Sequence, residues 1–295
     1  MTVTRGIVES CVINRGEDAR GAIARTVELC CVAESLGLDR FWITEHHCDN
    51  IATASPELLI PLLGASSNTI SVGVGGLLLS LYSPLQVANQ LNTLEALFPG
   101  RISFGIGRGK PPLERRAAYG DLLIRDSAAY SKRVHDLVAY IHDPQCIAPY
   151  PVVGTKPRLW LCGSGTESSS LATALGIPYS HALFLDRSLL TPTRSHAGAL
   201  AVINCRNNGL PVDITIAGSC AGKFTGRLGE SQEFGLAITI NVAGAYSECR
   251  RQVAAVVDTY APTSLSLLDL SPTFELKMES YRLFADICND ILGKT

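Results

Sequence analysis

The sequence predicts an α/β chain closed into a (β/α)8 TIM barrel, and three features carry that prediction. Strand-like apolar runs alternate with helical periodicities about eight times, a pattern met by parallel strands joined through helical crossovers. The length of 295 residues suits one large barrel, so residues 1–295 are read as a single domain. The first βα turn lacks the glycine fingerprint that an open dinucleotide-binding sheet would carry.

Residues 4–10 form an apolar-alternating first strand. Residues 19–36 repeat apolar side chains at helical spacing and stop at Gly37, placed as a C′ residue. Residues 40–44 are the second strand, and Ser55-Pro56-Glu57 opens a helix with a capping serine and a proline at the first helical position. The third strand, 70–79, is rich in β-branched residues and glycine. Ser83-Pro84-Leu85-Gln86 has capping-box form and starts a helix that runs to about Leu97. Pro99-Gly100 then turns the chain into strand 101–106.

Residues 110–126 break the rhythm with charge and a proline pair, and are read as a loop or irregular insertion. A helix at 127–142 and a proline-marked connection at 144–157 follow. Alternation resumes with strand 158–162, helix 167–175, strand 179–185, helix 195–207 and strand 213–219. After a glycine-rich polar stretch at 222–235 come strand 236–242, helix 246–260, strand 264–268 and a closing helix at 274–291.

Bulk chemistry narrows the function. A hydrophobic fraction of 46% supports a large core, and a net charge of −2 leaves no footprint for nucleic acid or an anionic membrane. The longest apolar runs are strand-sized, short of a membrane span, and no apolar signal core opens the chain, so a cytoplasmic protein is expected. The ten cysteines include no C-x-x-C pair and fall mostly one at a time in apolar segments. They are read as reduced, structural thiols.

Barrel enzymes react at the C-terminal ends of their strands, and three predicted strand exits carry unusual residues. After the second strand come Glu45, His46 and His47, where a histidine can move protons and a neighbouring carboxylate can orient it or raise its pKa. The alternative is that one ring packs or caps while the other is solvated. Gly105-Ile106-Gly107-Arg108-Gly109 opens the backbone for close ligand approach with Arg108 available to an anion, or is an ordinary glycine-rich turn. Gly163-Ser164-Gly165-Thr166 starts a helix whose free N–H groups suit phosphate, with Ser164 and Glu167 alternatively closing a capping box. Consecutive strand residues face opposite sides, so the His46–Asp49 run does not make a metal site, and none is expected.

The segments DRFWITEHH, ISVGVGGLLLSLYSPLQVANQLNTLEALFPGRISFGIGRG and LWLCGSGTESSSLATALGIPYSHALF, with SYRLFADI near the end, together resemble the luciferase-like flavin-dependent monooxygenases. The resemblance is dense over residues 25–110 and 158–185. It implies a (β/α)8 barrel that binds reduced FMN, or in one branch a deazaflavin. By position it assigns Arg108, Ser164, Gly165, Thr166 and Ser168 to the flavin phosphate. Gly75 and Gly76 match a pair that often carries a non-proline cis peptide under the isoalloxazine, and Gly107 stands where luciferases proper have a reactive cysteine, so light emission is not implied. His46 matches a proton-handling histidine, with Glu45 and His47 beside it. Residues 186–235 match the family poorly, which points to a shortened or irregular segment there.

The resemblance implies a two-component monooxygenase. It would take reduced FMN from a separate flavin reductase, use O2 on a small organic substrate, and form a homodimer. A deazaflavin-dependent oxidoreductase of the same fold and a non-catalytic flavin-binding protein are the alternatives.

Overall fold

The computed structural model describes residues 3–109, 111–124, 126–143, 145, 147–185, 197–222, 229–233 and 236–293. Nine parallel strands run in the order β3-β2-β1-β11-β8-β7-β6-β5-β4. These are β1 (Thr4–Glu9), β2 (Arg40–Ile43), β3 (Ser71–Val74), β4 (Leu77–Leu78), β5 (Ser103–Gly107), β6 (Arg158–Gly163), β7 (Tyr179–Ala182), β8 (Val212–Gly218) and β11 (Ser264–Asp269). They fill eight barrel positions, because β3 and β4 are two halves of the predicted third strand, parted at Gly75-Gly76. β3 pairs with β2 and β4 pairs with β5. A parallel bridge from Val72 to Ile102 closes the ring. The predicted barrel is the observed fold.

The helices lie outside it: α1 (Ala19–Ser35), α2 (Ile60–Ser66), α3 (Pro84–Leu97), α4 (Ser127–His142), α5 (Thr166–Leu175), α6 (Ala197–Asn207), α7 (Tyr246–Tyr260) and α8 (Phe274–Leu292). Three start signals act differently from expectation. Ser55 precedes a short 3-10 turn, Pro56–Leu58, and α2 begins four residues after Pro56. Ser83 caps α3 by position, but its side chain makes no capping bond. Gly165, not Ser164, is the N-cap of α5, so the Ser164–Glu167 capping box does not form. The charged insertion contains a run of 3-10 turns, Leu113–Leu122.

One predicted strand leaves the barrel. Leu236–Ile240 (β10) pairs antiparallel with Gly229–Glu233 (β9), a hairpin set between β8 and α7. It docks across the end of β8 through Asn241, whose N–H donates to the Ala217 carbonyl at 2.7 Å and whose Oδ1 accepts from Ala217 N–H at 3.0 Å. Gly218 makes this approach possible. At φ 145° it faces the Val242 carbonyl, which any Cβ would strike. Residues 186–196 and 223–228 of the divergent segment, including the predicted start of helix 195–207, lie outside the described residues.

Strand alternation sorts the side chains. Phe41 and Ile43 of β2 face the helices, while Arg40 and Trp42 face the barrel interior. At the strand starts Arg40 Nη2 meets Asp213 at 2.6 Å, and Ser264 and Ser266 also donate to that carboxylate. Above this polar layer the Arg40 guanidinium lies 3.8 Å over the Trp42 ring. Trp42 and Trp160 meet edge to face with centroids 6.0 Å apart. The lower barrel is therefore filled, and the space for a ligand is left at its C-terminal end.

There α8 is clamped to the barrel by a fully buried charge cluster. Lys277 Nζ donates to Glu9 Oε2 at 2.8 Å and to the Asp269 carbonyl at 3.2 Å. Tyr281 donates to the same Glu9 oxygen at 3.0 Å, and Ser10 and Cys11 N–H groups bind the other. The nine described cysteines are all free thiols.

Candidate active site

A cavity of about 830 Å³ opens at the C-terminal face, toward the upper end of the range for ligand pockets. Glu45, His46, His47, Gly75, Gly76, Gly107, Arg108, Ser164 and Ser168 all line it, so the three strand exits singled out from sequence converge on one space. Gly165 is the cap of α5 and Thr166 its first residue; neither lines the cavity.

One wall is built by the β2 exit. Glu45 is 3% exposed and fully committed: Oε2 accepts from Leu78 N–H at 2.7 Å, and Oε1 lies 2.7 Å from His47 Nε2 and accepts from the Tyr82 hydroxyl at 3.1 Å. His47 Nδ1 meets the Tyr119 hydroxyl at 3.0 Å. This network assigns the Nε2 proton to the Glu45 side, leaving Nδ1 to accept from Tyr119. Burial raises the pKa of both tyrosine hydroxyls, with the Glu45 charge adding to it, which keeps them protonated donors.

The carboxylate considered as a partner for His46 thus serves His47. His46 moves the other way from the expected rise: burial, then the neighbouring His47 ring, lowers its pKa to about 4. The fold favours its neutral form, so the stability linked to it is present above its ordinary 6.5 and lost as pH falls through about 4. Urea melts between pH 7 and pH 4 are expected to show His46→Gln escaping up to about 3 kcal/mol of that acid loss; parallel pH profiles for the two proteins would contradict this.

The opposite wall is an anion cradle. No side chain caps the first turn of α5, which leaves backbone N–H groups and the positive end of the helix dipole at the cavity edge. The Ser168 side chain lies against Gly163, in space a Cβ there would need. Arg108 stands alongside, donating to Ser127 Oγ at 2.7 Å and lying 3.5 Å from Glu167, with its side chain 40% exposed. Gly107 leaves open space: a Cβ on it would meet only the Cys162 carbonyl, at 3.9 Å.

Between the walls the Gly75-Gly76 peptide is cis. A Cβ on Gly75 would strike the Trp42 ring, and one on Gly76 would crowd the Gly105 carbonyl at 3.2 Å and Cys162 Sγ at 3.3 Å. The strand break is a flat, side-chain-free ledge at the cavity floor. Cys162 lines that floor, so this cysteine is more than core filling. Burial, with Asp213 adding, pushes its thiol up to about 12, keeping it protonated and a poor nucleophile.

Several participants had no signal in the sequence. Tyr119, Arg115 and Arg116 sit in a stretch without periodicity, and Tyr82 read only as the residue before a helix start.

The luciferase-like monooxygenase family model matches residues 6–221. The chain is 37% identical over 195 residues to the uncharacterised protein YwcH of Bacillus subtilis, covering 62% of this chain and 58% of that protein. It is 34% identical over 190 residues to N-acetyl-S-alkylcysteine monooxygenase of the same organism, covering 61% and 57%. The chain thus spans less than two-thirds of these curated relatives. Among solved structures it superposes on apo-MsnO8 with a TM-score of 0.81 and 26% identity, covering 98% of this chain and 99% of that one. The FMN complex of the oxygenating constituent of 3,6-diketocamphane monooxygenase, from Pseudomonas putida, shares the fold at a TM-score of 0.71 and 15% identity, covering 100% and 99%. With the family model matching most of its length on a barrel of this topology, the chain belongs to the luciferase-like monooxygenase family.

Proposed function

We propose that the cavity binds reduced FMN and that the protein is the oxygenating component of a two-component monooxygenase acting on a small organic substrate. The observation that carries this reading is the uncapped N-terminus of α5 with Arg108 beside it, on one wall of a cavity floored by the Gly75-Gly76 ledge. The residues fit the group. Arg108 and the Ser164 and Ser168 hydroxyls, which line the cavity, would hold the phosphate, with the Gly165 and Thr166 N–H groups at the α5 start directed to it from the cavity edge. The ledge and the open space at Gly107 would admit a flat ring system. The bound reduced flavin supplies the electrons that activate oxygen.

The protein's own part is positioning, water exclusion and proton handling. His46, neutral at pH 7, accepts or relays a proton at the reacting end. Glu45 holds one nitrogen of the His47 ring and the Tyr119 hydroxyl holds the other, which fixes that wall of the cavity. A relative named for N-acetyl-S-alkylcysteine supports a small organic substrate class. A single barrel domain, a homodimer, a separate flavin reductase and a cytoplasmic location complete the proposal; no helix among the described residues is long and apolar enough to cross a membrane.

Anaerobic titration with reduced FMN, with a reduced deazaflavin in parallel, tests the cofactor. Tighter binding of the deazaflavin would transfer the reading to hydride chemistry. His46→Ala is expected to keep reduced-FMN affinity while oxygen transfer falls by about a hundredfold or more. Unchanged turnover would remove His46 from the mechanism.

A further inference from the structure

The cavity is chemically lopsided. Its inner end is apolar, with Ile238, Leu268, Phe184 and Leu185 lining it and packed with Trp42 and Trp160. Its rim along the 3-10 turns carries Arg115 and Arg116. Arg116 gives Nε to the Pro111 carbonyl at 3.0 Å, and its two terminal nitrogens have no hydrogen-bond partner among the described residues. Arg115 lies 3.6 Å from Asp49, with the arginine side chain 53% exposed and the aspartate fully exposed. Such a pair is worth little in water and yields readily to a better acceptor.

The acidic groups nearby do not cancel these cations within the cavity. Glu45 is buried and satisfied by three donors. Asp49 and Glu114 are exposed, so solvent screens them. Arg108 is engaged with Ser127 and Glu167 on the opposite wall. Two guanidiniums with free donors at the mouth of an apolar cavity match one ligand chemistry: a planar carboxylate, which a guanidinium grips through two parallel N–H···O bonds, carried on an apolar body.

We propose that the substrate is an amphiphilic organic acid, its apolar end against Ile238, Leu268 and Phe184 and its carboxylate held by Arg116 and Arg115. This rests on the proposed flavin site, which sets the reacting end of the substrate inside the cavity and its charged end at the rim.

The chain's two tryptophans, Trp42 and Trp160, both lie beneath the cavity, so tryptophan fluorescence reads binding without flavin. The probes are octanoate, 1-octanol and octylamine, which share a tail and differ in head charge. Octanoate is expected to bind about tenfold more tightly than 1-octanol, and octylamine more weakly than either. In Arg116→Gln, and further in Arg115→Gln/Arg116→Gln, the octanoate advantage should shrink to about twofold or less while 1-octanol affinity holds. Thermal melts establish that these surface variants are folded. The idea is overturned by octanoate binding no better than 1-octanol, by an advantage that survives the double substitution, or by no binding of any probe. Titration of the same proteins with reduced FMN separates the two readings. Flavin binding without an octanoate preference sinks the organic acid alone, and an octanoate preference without flavin binding sinks the flavin alone.

Discussion

Titrated anaerobically with reduced FMN, the Arg108→Ala protein is expected to bind about tenfold to a hundredfold more weakly than the parent, the loss of a charge-assisted hydrogen bond to phosphate. Riboflavin, which has no phosphate, should bind both proteins equally. The side chain is already pre-positioned by Ser127 and Glu167, so little ordering is needed on binding. Its 40% exposure also makes the interaction sensitive to salt, and raising ionic strength should narrow the gap between parent and variant. Equal affinities for FMN would remove Arg108 from the phosphate site and leave the α5 N-terminus as the anchor.

The second large effect falls on stability. Lys277→Met is expected to cost about 3–5 kcal/mol, because it strands the Glu9 carboxylate in the interior without its cation. Lys277 is 3% exposed and Glu9 0% exposed, so solvent cannot replace the lost partner. Tyr281 and two backbone N–H groups still bind Glu9, which holds the cost within that range. Glu9→Gln placed on top of Lys277→Met should recover part of the loss, since it removes the uncompensated charge. Equilibrium urea unfolding of the parent, both single variants and the double variant measures the coupling. Strictly additive losses would show that the two residues are not a working pair.

The cluster matters for the cavity as well, since it ties α8 to the exits of β1 and β11. Burial raises the Asp269 carboxyl against the pull of Lys277.

Fold was largely legible from residue order. Parallel βα alternation depends on short-range patterns: apolar runs such as 40–43, helical spacing such as 127–142, and turn residues such as Gly37. The exception was the strand at 236–240. Its local pattern matches a barrel strand, but pairing partners are chosen across the chain, and the adjacent Gly229–Glu233 segment captured it in a hairpin. The capping boxes at Ser83 and Ser164 failed for two different reasons: Ser83 stands at the N-cap but its side chain does not make the bond, and α5 starts one residue later than the Ser164 box requires, with Gly165 at the cap.

By itself the sequence determined the barrel, the three strand exits and the family, because these follow from local hydrophobic period, turn chemistry and contiguous motifs. Only the tertiary structure decided how those exits are wired. It gave Glu45 to His47 instead of His46, brought Tyr119 across 72 residues of chain onto the same ring, and turned Arg115 and Arg116 toward the cavity mouth. Hydrogen-bond partners and desolvation are properties of the space between strands, set when the barrel closes, and no spacing along one strand encodes them.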